Sequence, residues 1–172
     1  MITKEQFHEP RWTIGQIAKA IGISTNTLNT WAHKAPIRSE TFKQSRGLPT
    51  LFSTFAAFEF AVMAVLNRNG VQREFASLAG KMFAHTGRGP SGWAGEPSVN
   101  QVRDPSGVYP NGSTWLVASQ SKSVVRILPD EEIVRAIKDL GGDSDPVLVF
   151  QLNKLHDELP RRLDDISTGL IR

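Results

Sequence analysis

Apolar residues recur at Ile14, Ile17, Ala18 and Ile21, the three- and four-residue spacing of one helical face. Thr13 and Gln16 stand in the [ST]xx[EQ] pattern that starts a helix. Gly22 follows where a tight turn needs backbone freedom, and Ile23 can plug the gap between two helices. Ser24 is a suitable N-cap for a second helix from Thr25 to about His33, with Leu28 and Trp31 three apart on its inner side. Residues 13–33 therefore predict a helix-turn-helix. The outer face of the second helix carries Thr25, Asn26, Asn29, Thr30 and His33. Short polar side chains of this kind reach base edges from a helix lying in the major groove.

Helical periodicity breaks over residues 34–52, which Pro36, Gly47 and Pro49 punctuate. Two β-capable pieces, Ile37–Phe42 and Leu48–Phe52, flank a polar tip, Lys43 to Gly47. This pattern predicts a wing over 37–52 that sets basic side chains on the phosphate backbone. Ser53 then caps a third helix, to about Asn69, with Phe55, Phe58, Val62 and Leu66 as its buried stripe. A fourth helix, from about Gln72 to Ala84, places Phe75, Leu78, Ala79, Met82 and Phe83 on one face. Both stripes read as core.

Glycine and proline are frequent over the next stretch, and a mobile linker is expected over 87–113. Its GRGPSGWAG segment lacks the Lys-Ser/Thr and the strand-to-helix setting of a phosphate-binding loop. Beyond it the pattern predicts a small α+β unit over 114–172. Thr114–Ala118 and Val124–Leu128 read as a hairpin around Ser119–Ser123. A helix follows from Glu131 to Leu140, with Ile133, Ile137 and Leu140 facing inward. Pro146–Leu152 reads as a third strand, buried on both faces. A last amphipathic segment with Leu155, Leu159, Leu163 and Ile166 is interrupted at Pro160. About 60 residues are few for an isolated fold, so this unit is expected to dock on a partner or on a second copy. The expected fold class is α+β: a mainly helical winged helix-turn-helix at 11–86, a Gly/Pro-rich linker, and the small C-terminal unit, an oligomerisation or interaction domain.

Charge sharpens this division. The net charge of +3 splits into 11 Lys+Arg against 5 Asp+Glu over residues 1–90, and 9 against 12 over residues 91–172. The halves thus carry +6 and −3, and the basic half is the one with the helix-turn-helix. No carboxylate lies between Gln16 and Ala35, as suits a surface for phosphates. With no cysteine, disulfides and thiolate metal sites are excluded. No apolar run approaches a membrane span, and MITKEQFHEPRW has no signal-peptide core. A cytoplasmic location, no membrane partner and no cofactor are the expectations.

The stretch WTIGQIAKAIGISTNTLNTWAH followed by LFSTFAAFEFAVMAVLNRNGV resembles the MerR family of winged-helix transcription regulators, especially its short phage and prophage members. Phe52-Ser53 and Asn69-Gly70-Val71 occupy the places where that family starts and ends the helix after the wing. The resemblance covers about residues 11–86. It implies a homodimer, or a higher homo-oligomer, on a pseudo-palindromic operator in double-stranded DNA. Carried onto this chain, Thr25, Asn26, Asn29 and Thr30 face bases, and Arg38, Lys43 and Arg46 face phosphates. Thr13, Ser24, His33 and Lys34 stand beside them as expected backbone contacts. The recognition helix, about 24–33, has no arginine, and metal sensing through cysteines is excluded.

Catalysis is not expected. His8, His33, His85 and His156 lie in no metal-binding spacing. Asp157-Glu158 and Asp164-Asp165 read as a solvated helix face rather than an acid–base pair, and the serines of 119–123 as a turn. A sequence-specific DNA-binding transcription regulator is the leading expectation. An excisionase-like DNA-bending factor for recombination is the alternative. An oligomerising interaction or packaging protein is the third.

Overall fold

The structure is a computed structural model that describes residues 4–34, 41–42, 48–87, 102–141 and 146–170. These residues form a mixed α+β fold with six α-helices and two three-stranded antiparallel sheets. The first sheet joins β1 (Trp12–Thr13), β2 (Thr41–Phe42) and β3 (Leu51–Phe52) in the order β1-β3-β2. Between its strands lie helices α1 (Ile14–Ile21) and α2 (Thr25–Lys34). After it come α3 (Thr54–Arg68) and α4 (Arg73–His85).

Helix α3 is the centre of the molecule. Besides its expected stripe, Ala56, Ala57, Phe60, Ala61, Met63 and Ala64 are also buried, because neighbours cover it on several sides. Even Glu59 is fully buried, with Oε2 3.1 Å from Nε2 of His85. Small residues let α4 approach closely: a Cβ built on Gly80 would stand 2.6 Å from the Glu59 carbonyl oxygen. Helix α4 meets α3 through Phe75, Ala76, Ala79 and Phe83, and Leu78, off that line, is 42% exposed rather than core.

The second sheet contains β4 (Thr114–Ser119), β5 (Val124–Pro129) and β6 (Leu148–Gln151), in the order β5-β4-β6. Its two-residue alternation sends Leu116, Ala118, Val125 and Ile127 into the main core. Val117 and Leu128 face the other way, onto Ala136 and Leu140 of α5 (Asp130–Gly141). Ile137 sits at the rim of α5's inner face and is 37% exposed, against expectation. Among the described residues strand β6 pairs only with β4, so it is a half-buried edge and not a strand covered on both faces.

The last segment is one uninterrupted helix, α6 (Asn153–Ser167), with Pro160 inside it. Pro160 removes one backbone donor, a cost of about 3 kcal/mol. Burial of Leu159 and Leu163 on the same helix face offsets it. Helix α6 packs against α1 and α3. One face of the second sheet and the inner side of α6 thus join the hydrophobic core of the N-terminal helices, while Val117, Leu128, Ala136 and Leu140 form a second, smaller cluster.

Part of the expected linker is likewise fixed in place. Residues 88–101 lie outside the described residues. Over 102–113, however, Arg103 and Ser106 are buried. The Arg103 guanidinium donates to the carbonyls of Phe83, Thr86, Asp104 and Gly107. Ser106 donates to the Ala84 carbonyl, and the Tyr109 hydroxyl to the Ile127 carbonyl. Glycine and proline here serve turns against the end of α4, not a loose tether. No described helix is long and apolar enough to cross a membrane.

Candidate nucleic-acid interface

Helices α1 and α2 and the first sheet place the expected site residues. Thr13 has extended backbone, and its hydroxyl accepts from Gln16 N–H (3.3 Å) while the Gln16 side chain accepts from Thr13 N–H (2.9 Å). This reciprocal cap fixes where α1 starts. At the other end Gly22 is left-handed (φ +69), and the Gly22 and Ile23 N–H groups both return to the Ala18 carbonyl. That closure turns the chain sharply into α2. Ser24 accepts from Thr27 N–H (3.0 Å) and so caps α2.

The side chains divide α2 as its pattern predicts. Leu28 and Trp31 are buried, while Thr25, Asn26, Thr27, Thr30 and His33 are exposed and Asn29 is half-buried. Thr30 donates to the Asn26 carbonyl (3.0 Å), so its hydroxyl is partly engaged within the helix. The exposed strip has no acidic residue in its first turn. Thr13 and Ser24, expected on DNA phosphates, are both built into helix caps, with Thr13 half-buried and Ser24 exposed. The Lys34 side chain, Arg38, Lys43 and Arg46 lie outside the described residues.

The first sheet ties the surroundings of α1 and α2 together, since β2 pairs antiparallel with one edge of β3 and β1 with the other. The Trp12 indole N–H donates to the buried Thr54 hydroxyl (3.0 Å), linking β1 to the start of α3. Ser53 caps α3 by accepting from Ala56 N–H.

Two arginines unanticipated from the sequence brace the turn between α1 and α2. Arg68, at the end of α3, donates through Nη2 to the carbonyls of Ile21 (2.7 Å) and Gly22 (2.8 Å). Arg162, on α6, donates to the Ala20 carbonyl (3.4 Å). These carbonyls are the unpaired C-terminal acceptors of α1, where a cation also complements the helix dipole. Arg68 therefore holds the turn, and its charge does not count simply towards a phosphate surface. The only sequence hint was its place at the end of a helix.

The other histidines and carboxylates are dispersed. His156 stacks on Phe58 and sits 3.0 Å from Asp157, while Glu158 accepts from Arg162 (2.6 Å). Among the described residues, no three His, Asp or Glu side chains come together as a metal-binding group. Two carboxyls are held below their usual range. Asp130 accepts from the Trp115 indole N–H (2.6 Å) and Ser113 N–H (2.7 Å), and Glu74 accepts from Arg73. Both stand outside α1 and α2.

Compared with models of known protein families and with characterised protein sequences, the chain matches none.

Proposed function

We propose that this protein is a sequence-specific double-stranded DNA-binding transcription regulator of the winged helix-turn-helix type. The observation that carries the reading is the exposed polar, acid-free strip of α2, held by a capped α1, a left-handed Gly22 and a buried Leu28–Trp31 underside. On this proposal α2 enters the major groove, where Asn26 and Asn29 are suited to the paired donor and acceptor of adenine. The residues joining β2 to β3 follow the adjacent backbone, with Lys43 and Arg46 on phosphates. The MerR-like resemblance of 11–86 belongs to the same proposal, as does a homodimer on a two-fold-related site. With no arginine on the reading strip, affinity per half-site is modest, and a second copy supplies the rest.

In vitro selection from a random duplex library on the full chain tests the proposal. The expected result is an enriched motif, with information at one position lost in the Asn29→Ala protein. A library that stays random after repeated rounds would exclude sequence-specific binding.

A further inference from the structure

Helices α1, α3 and α6 and strand β6 line a half-open cavity of about 530 Å³. That volume lies within the range of small-molecule sites, about 300–1,000 Å³. Its apolar lining includes Ala61, Ala64 and Val65 of α3 with Phe150 of β6 and Leu155 of α6. The same two helices bring charged and unbalanced groups into the lining: Arg68, Lys154 and Arg162 with a single carboxylate, Glu158. Glu158 is already taken up by Arg162 (2.6 Å) and Lys154 (3.7 Å). Arg68 spends only Nη2 on the turn carbonyls, and its Nη1 and Nε have no hydrogen-bond partner among the described residues. The cavity thus combines apolar lining with surplus, partly unused cationic donors.

We infer that this cavity binds a small organic monoanion, a carboxylate on a short apolar body. The carboxylate meets the open side of Arg68 and the Lys154 ammonium, and the body lies along Ala64, Val65 and Leu155. A guanidinium edge offers two parallel donors to such a group. The same cavity touches the helix-turn-helix, because Arg68 and Arg162 also hold the carbonyls of Ala20, Ile21 and Gly22. A ligand that draws these guanidiniums towards itself changes how the turn before α2 is held. This second step, control of DNA affinity, rests on the DNA-binding proposal; the site itself does not.

Calorimetric titration of the full chain, without DNA, with hexanoate, hexan-1-ol and hexylammonium tests the site. Hexanoate should bind saturably, hexanol about ten-fold more weakly for want of the charged hydrogen bonds, and hexylammonium more weakly still. Lys154→Glu, at a side chain 81% exposed and therefore tolerant of change, should weaken hexanoate about three-fold or more. No saturable heat with hexanoate, equal binding of the three probes, or an unaffected Lys154→Glu protein would each overturn the site. Saturating hexanoate should then change affinity for the selected duplex about five-fold. Unchanged duplex affinity would overturn the coupling, whereas hexanoate binding by a chain that binds no duplex would uphold the site and remove the DNA-binding proposal.

Discussion

Replacing Gly80 by alanine should destabilise the protein, while the same replacement at Gly15 should not. At Gly80 the new Cβ would stand 2.6 Å from the Glu59 carbonyl oxygen and 3.1 Å from the Glu59 Cγ. Both atoms belong to the buried centre of α3, so neither can swing away and the two helices must part by several tenths of an ångström. Parting them loosens Phe58, Phe83, Ala76 and Ala79, all fully buried. Overpacking of this kind costs about 1–3 kcal/mol. A 2.6 Å approach to a backbone atom puts the cost in the upper half of that range, about 2–3 kcal/mol; alanine returns up to about 1 kcal/mol of helix propensity, so the net loss is about 1–2 kcal/mol. At Gly15 the nearest atom to a new Cβ is Thr13 Oγ1 at 4.0 Å, and only the propensity gain remains. Urea unfolding followed by fluorescence measures both proteins. Gly80→Ala should lower the midpoint by about 0.5 M at unchanged slope, and Gly15→Ala should leave it equal or higher. A Gly80→Ala protein as stable as the parent would refute the close approach of α3 and α4.

Arg68→Met keeps the aliphatic stem and removes both donors to the turn. It should cost about 1–2 kcal/mol in urea unfolding and weaken binding to the selected duplex. Gly22→Ala forces a left-handed alanine beside Arg68 and should cost about 1 kcal/mol by the same measurement. The Asp130 carboxyl, lowered chiefly by the Trp115 hydrogen bond, contributes stability above the ordinary carboxyl range that is lost as pH falls through its folded value. Trp115 fluorescence in an acid titration should report this loss, and Asp130→Asn should flatten it. Arg46→Ala should weaken binding to all duplexes alike and reduce the slope of log affinity against log salt by about 1.

Local signals made the N-terminal elements legible. The Thr13–Gln16 pair, Gly22 and Ser24 act on their own neighbours, so their spacing alone placed α1 and α2. Ser53 placed the start of α3 in the same way. What depended on distant packing was not legible. Pro160 reads as a break until the burial of Leu159 and Leu163 is known, and Leu148–Gln151 reads as an interior strand until its single neighbour is known. Gly and Pro in 102–113 look like a tether because nothing nearby in sequence reveals that Arg103 reaches the carbonyls at the end of α4. The same limit applies to the site. Exposure of Thr25, Asn26 and Thr30 follows from helical phase, but the use of Arg68 and Arg162 as braces links residues 46 and 142 positions apart.

Fluorescence anisotropy of the full chain on its selected duplex, at low salt, tests the DNA-binding proposal most directly. Saturable binding below micromolar concentration is expected, lost selectively when Asn26 and Asn29 are both replaced by alanine. No binding below that concentration to selected or random duplex, or binding that ignores the double replacement, would contradict α2 as the reading helix.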